Sequence, residues 1–279
     1  MNLSGIIEEI EKVDPEFQDR ISPRRAAIKN ITSFGSKVAV AAMPFAFSTL
    51  FKKAYGQTTT TSVNDVLNFA LKLEYLEAAF YNAGVASSLA FSTSEKAYLQ
   101  TIKGHENAHV AFLQGILGSA AVAQSTQGTN GTYDFTAGGT FPTVFSSVDT
   151  FFAVAQAFED TGVRAYKGQA PNLLGNQVVL TAALNIHSVE ARHASAVRQI
   201  RRARGAATTK PWITGANDTG IPAVNGNYAG EDNVLQGGVT ITSLAGVSGN
   251  VAVNAATEAF DEPLTSAQVV VLVAPFGVK

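Results

Sequence analysis

The sequence predicts an all-α protein: a four-helix bundle of two helical hairpins joined by a long crossover, followed by an irregular tail. Three observations predict it. Between residues 58 and 204, apolar residues recur at the three- and four-residue spacing of amphipathic helices in four successive stretches. Two of the three connections are short, whereas Gln124 to Ser146 holds Gly128, Gly131, Gly138, Gly139 and Pro142 and reads as a loop. A glutamate interrupts each apolar stripe near mid-length, and two of the four are followed three residues later by a histidine.

Composition narrows the chemistry. The 279 residues are 46% hydrophobic and 15% charged, enough for one good core, and the length allows one or two domains. A net charge of -2 leaves no basic footprint for nucleic acid or acidic lipid. With no cysteine, disulfides, thiolate metal sites, iron–sulfur clusters and cysteine nucleophiles are excluded. Any metal must be held by oxygen and nitrogen, which points to iron, manganese or zinc in a mixed Glu/His site.

Residues 1–57 read as an address. Ser22-Pro23-Arg24-Arg25-Ala26-Ala27-Ile28-Lys29 sets paired arginines before an apolar run, Val38 to Leu50, and resembles a twin-arginine export signal. The run is too short to span a bilayer. Ala54-Tyr55-Gly56 offers small residues for cleavage before Gln57, and Lys52 and Lys53 suit the twin-arginine route better than the general one. The competing reading is an amphipathic N-terminal helix, Leu3 to Val13, and a buried apolar helix in a cytoplasmic protein.

The bundle occupies residues 58–204. Ser62 or Asn64 caps a first helix to about Ser88, whose stripe is Leu67, Leu71, Glu74, Ala78 and Tyr81. Ser92-Thr93-Ser94-Glu95 is a capping box before a second helix to about Ala123, with the stripe Leu99, Ile102, Glu106, His109, Leu113 and Ile116. A third helix starts at Ser146 or Ser147 and stops near Gly168, with Val148, Phe152, Ala155, Glu159, Gly162 and Tyr166 in line. The fourth runs from near Asn172 to Gly205, with Val179, Ala183, Ile186, Glu190, His193, Val197 and Ile200. The arginines near its end, Arg198, Arg201, Arg202 and Arg204, read as a solvated helix terminus that suits the helix dipole.

Glu74 precedes Glu106 by 32 residues and Glu159 precedes Glu190 by 31, and a tyrosine follows each leading glutamate by seven, Tyr81 and Tyr166. The hairpins therefore look like an internal duplication. Four carboxylates facing one another in a dry core cannot stay ionised without counter-charge, and no lysine or arginine lies in any stripe. Two divalent cations balance them, so Glu74, Glu106, His109, Glu159, Glu190 and His193 are read as a dinuclear metal site. Singly, a seam glutamate or one Glu-x-x-His is commonplace; the registered repeat is what carries weight. Glu77 rivals Glu74, but only Glu74 preserves the repeat. Glu77, Tyr81, Tyr166 and His187 are expected to support the site from behind, His187 alternatively as an extra ligand. His105-Glu106-Asn107-Ala108-His109 also spells the H-E-x-x-H of zinc proteases, yet it lacks a third ligand and its glutamate lies inside the apolar stripe.

The tail, 205–279, is rich in Gly, Asn, Thr and Val. Alternation at Val239-Thr240-Ile241-Thr242 and Val251-Ala252-Val253-Asn254 predicts short strands, and Thr265 or Ser266 caps a short last helix over Ala267 to Val273, ended by Pro275. The tail is expected to pack on the bundle.

Leu73-Glu74-Tyr75-Leu76-Glu77-Ala78-Ala79-Phe80-Tyr81, the two Glu-x-x-His helices and the closing Glu258-Ala259-Phe260-Asp261-Glu262-Pro263-Leu264-Thr265 resemble the ferritin-like family that includes desiccation-related proteins and exported bacterial homologues. That resemblance implies iron oxidation or storage, or manganese-catalase chemistry. The expectation is thus an exported (periplasmic or envelope) di-iron or di-manganese oxidoreductase. Its partners would be metal ions and small oxidants, with no nucleic acid, no stable membrane span after signal removal, and a homo-oligomer compatible with the sequence. The alternative is a non-enzymatic, stress-protective bundle with a structural or vestigial site.

Overall fold

The computed structural model describes residues 61–279 except 130–131, 207, 217–219 and 247; the signal-like region 1–57 lies outside the described residues. Four long helices carry the fold: α1 Val63–Ala86, α2 Thr93–Leu117, α3 Val148–Gln169 and α4 Gln177–Ala203. Side-chain caps set their starts. Ser62 with Asp65 and Ser92 with Glu95 form reciprocal capping boxes, while Ser147 and Asn176 accept from the N–H groups of Thr150 and Val179. Two boundaries differ from the sequence expectation. The start of α4 falls beyond Asn172, because Pro171 lacks an N–H and Ala170–Leu173 turns as a 3-10 segment before Asn176 caps. The end of α2 falls at Leu117, because Gly118 takes φ 53°, a backbone region that favours glycine.

Hairpin α1–α2 packs on hairpin α3–α4 across the long crossover, with α1 against α3 and α2 against α4. The stripes meet in the middle: Leu67, Leu71, Tyr81, Leu99, Ile102, Leu113, Phe152, Ala155, Ile186 and Val197 are all buried. Ile116 departs from the expectation. It is 43% exposed while Leu117 is buried, since a 3.6-residue repeat carries the stripe from Leu113 to a residue four on.

Among the described residues no helix is long and apolar enough to cross a membrane. Strands β1 Leu235–Gln236 and β2 Val239–Thr240 pair antiparallel around Gly237 and Gly238, whose φ values of 57° and 85° are those of a two-residue hairpin turn. A second pair joins β3 Ala245–Gly246 to β4 Gly249–Asn250. Val251 to Asn254 is not a strand. Four alternating residues are too few to specify one, and the alanine-containing segment that follows turns into helix α5 Val253–Glu258. The last helix, α6 Ser266–Val273, is capped by Thr265 with Gln268, and Pro275 sits in the 3-10 turn beyond.

Two members of the arginine run, Arg198 and Arg201, are buried and depart from the solvated terminus expected of it. Arg198 is fully buried: its Nε donates to both carboxylate oxygens of Asp160 at 3.0 Å, Nη2 donates to one of them at 2.8 Å, and Nη1 donates to the Trp212 carbonyl at 3.0 Å. Arg201, also buried, donates to Gln156, and exposed Arg204 pairs with Glu95 and Asp149. On α3, the buried Arg164 lies 2.7 Å from the Glu231 carboxylate and donates to the carbonyls of Glu262, Asn227 and Ala229. Arg198 and Arg164 hold the tail as partnered buried charges, whereas Arg202 and Arg204 stay exposed, as the sequence reading expects.

The Leu264 N–H donates to the Arg164 carbonyl at 3.1 Å, and the tail crosses α3 so closely that a Cβ on Gly168 would stand 1.9 Å from the Leu264 carbonyl oxygen. Gly168→Ala is therefore expected to destabilise the protein by about 1–3 kcal/mol through overpacking. Gly175→Ala, where a Cβ meets nothing within 4 Å, is the control. Thermal unfolding of the two variants, with limited proteolysis of the tail, checks this.

Candidate metal centre

Midway along the bundle the four stripes bring six side chains to one level. Glu74 comes from α1, Glu106 and His109 from α2, Glu159 from α3, and Glu190 and His193 from α4. None is more than 8% exposed. A spacing of three residues on one helix puts Glu and His on the same face, so α2 and α4 each present a carboxylate and an imidazole together.

The donors sort into two groups that could each hold an ion: Glu74, Glu106, His109 and Glu190, and Glu106, Glu159, Glu190 and His193, with the donor atoms of each group within 4.8 Å of one another. Glu106 and Glu190 belong to both, and each group has one histidine. His109 Nδ1 lies 3.2 Å from Glu74 and from Glu106 and 3.3 Å from Glu190. His193 Nδ1 lies 2.8 Å from Glu106 and 3.3 Å from Glu159. Yet His193 Nδ1, Glu106 Oε1, Glu159 Oε2 and both oxygens of Glu190 are buried without an aligned hydrogen-bond partner. Buried polar atoms that approach closely but do not pair are converging on a common point, which fits a metal-ligand set.

The tyrosines cross between hairpins. Tyr81 of α1 donates to Glu159 of α3, and Tyr166 of α3 donates to Glu74 of α1. Each hydroxyl therefore orients the leading glutamate of the other repeat. His105 is exposed, and its Nδ1 lies 2.9 Å from His193 Nε2. It belongs to neither donor group, so the two histidines of the H-E-x-x-H string do not share one, as a zinc protease would require. His187 is half-buried and outside both groups, and its Nδ1 is buried without a hydrogen-bond partner. Glu77 is 5% exposed, outside both groups, and its Oε2 has no partner.

Electrostatics reveal a counter-charge that the sequence reading missed. Burial pushes the carboxyls of Glu190 and Glu77 well above the usual carboxylate range, raises Glu159, and lifts Glu74 to about 7. Burial would lower the histidines, but Glu106, Glu190 and Glu74 around His109 push it up to about 12, and Glu159 and Glu106 push His193 to about 11. Burial disfavours the charge on Glu106 too, yet contact with both imidazoles holds it down at about 2. In the ion-free protein the two histidines are therefore imidazolium and stand in for the cations. Counting only lysine and arginine as alternatives concealed this; the histidine three residues from each glutamate was the signal available.

Residues 62–203 match the family model described as a ferritin-like domain. No curated protein and no solved structure gives a match. The matched span covers α1 to α4 and all six clustered donors, and the chain belongs to the ferritin-like domain family.

Proposed function

We propose that this chain is an exported di-metal carboxylate protein that binds two divalent ions, iron first and manganese as the variant, and reacts them with dioxygen or peroxide as part of stress protection. The observation that carries the reading is the pair of donor groups sharing Glu106 and Glu190, with buried oxygens that lack hydrogen-bond partners. Bound ions of this kind supply redox chemistry toward a small oxidant. The chain's own part is to hold Glu106 and Glu190 between two positions, to complete each position with one histidine and one outer glutamate, and to fix those outer glutamates through Tyr81 and Tyr166. A small apolar pocket is lined by Leu67, Ala70, Phe112, Leu113, Tyr166 and Ile186, and the Tyr166 hydroxyl donates to Glu74. On this reading it is the side from which a small oxidant would approach. A second reading, a structural or vestigial site in a stress-protective bundle, draws on the closeness of the cluster, where the most exposed side chain, His109, shows 11%. Consumption of oxidant by the metal-loaded protein separates the two.

Protein saturated with Fe(II) without oxygen is expected to carry about two ions per chain by elemental analysis. Glu106→Ala and Glu190→Ala, which alter both groups, should each hold less than about one, whereas Glu74→Ala and Glu159→Ala, which alter one group, should each keep about one. Wild type with less than about one ion refutes the dinuclear reading.

Binding must displace protons from His109 and His193, whose pKa values are raised to about 12 and 11, and from the raised carboxyls of Glu190, Glu159 and Glu74 to the extent that they are protonated. Glu106, already ionised, has none to lose. Affinity should therefore climb throughout pH 5 to 8, by up to about tenfold per pH unit for each proton released. Titration calorimetry in buffers of different ionisation enthalpy counts those protons, and a pH-independent affinity contradicts the account.

For export, fusion of residues 1–57 to a reporter should deliver it beyond the cytoplasm, and replacing Arg24 and Arg25 together by lysine should strand it inside, as cell fractionation would record.

A further inference from the structure

Set one repeat on the other from its leading glutamate, and the tyrosine seven residues on matches while the position three residues on does not. Glu74 is followed by a residue at plus three and a tyrosine at plus seven, Glu77 and Tyr81; Glu159 is followed by Gly162 and Tyr166. Where the first hairpin carries a fifth carboxylate, the second has no side chain at all.

The structure puts these two positions face to face. A Cβ built on Gly162 would lie 3.0 Å from Glu190 Oε2 and 3.4 Å from Glu77 Oε1, so the space left by the glycine is lined by the carboxylate shared between both donor groups and by Glu77. Glu77 is 5% exposed, and its Oε2 finds no hydrogen-bond partner although it is buried. Gly162 lies on α3, the helix that carries Glu159, so Glu77 meets the centre on that side. Neither the family match nor the two donor groups includes a role for it.

We propose that Glu77 is a seventh metal ligand, completing the Glu106, Glu159, Glu190 and His193 position through the opening that Gly162 leaves. The proposal rests on the dinuclear reading above and deepens it. The two positions that the duplication would make equivalent are unequal: one has three carboxylates and a histidine, the other four and a histidine. A buried carboxyl whose Oε2 has no hydrogen-bond partner, beside the shared Glu190, is placed where an ion held by that group can be reached. The competing account is a protonated acid that merely fills space.

Those accounts part on Glu77→Gln, because glutamine mimics a protonated glutamate in size and hydrogen bonding but is a far poorer ligand. Metal-free wild type titrated with Co(II), read by calorimetry and by the visible spectrum of the bound ion, should take two ions. Glu77→Gln, with its thermal midpoint in the metal-free state at or above that of wild type, should lose on the order of tenfold to a hundredfold in affinity for one of them and change that ion's spectrum. Glu77→Asp, a shortened carboxylate, should lie between. In a His109→Gln background, which leaves the His193 position as the complete one, Glu77→Gln should still cost affinity; in a His193→Gln background it should not. Unchanged affinities and spectrum in Glu77→Gln, with wild type binding two ions, overturn the seventh ligand and leave the dinuclear reading standing. Wild type binding fewer than two overturns both.

Discussion

Everything in this bundle answers to the cost of holding carboxylates out of water. Five glutamates lie buried at the middle of the fold, and an isolated ionised carboxylate in such an interior is penalised by several kcal/mol. Three devices keep the arrangement tolerable in the ion-free state. Contact with carboxylates favours the charged imidazoles of His109 and His193, contact with both imidazoles favours the charge on Glu106, and burial disfavours charge on Glu190 and Glu77. On the proposed reading, bound metal would replace the charge on the two imidazoles, and the pH dependence of binding follows from that exchange.

The crossed tyrosines tie the two hairpins into one centre rather than two. Tyr81 serves Glu159 and Tyr166 serves Glu74, so neither hairpin completes its own half-site. The same hydroxyls are pushed above the ordinary tyrosine range, by burial first and by the glutamate each one meets second. They remain donors, and a carboxylate held by a donor from the opposite hairpin fixes the distance between the hairpins as well as its own rotamer.

What could be read from the chain was whatever a helical period exposes. The stripes placed Glu74, Glu106, Glu159 and Glu190 at one level because a bundle core is a line drawn through residues three and four apart, and the capping residues Ser62, Ser92, Ser147 and Thr265 appear where their side chains are needed. What could not be read was the outer face of α3. Asp160, Arg164 and, across from them on α4, Arg198 look like solvent-facing charges until a distant segment covers them, and the covering strands and turns are too short and glycine-rich to announce their course. Periodicity tells which residues leave the core; it is silent on whether something else arrives over them.

That second burial bears on the centre itself. α3 is buried along nearly its whole length, with Glu159 and Tyr166 facing the donors while Asp160 and Arg164 hold the tail. Neighbouring residues of one helix thus serve two polar networks on opposite sides, and a helix pinned on both sides cannot slide or rotate without breaking charged contacts in each. The tail therefore does more than cover apolar surface. By clamping α3 through Arg164 and the Leu264 backbone, it fixes the height of Glu159 against Glu106 and Glu190, and Gly162 on that clamped turn keeps open the space between Glu190 and Glu77.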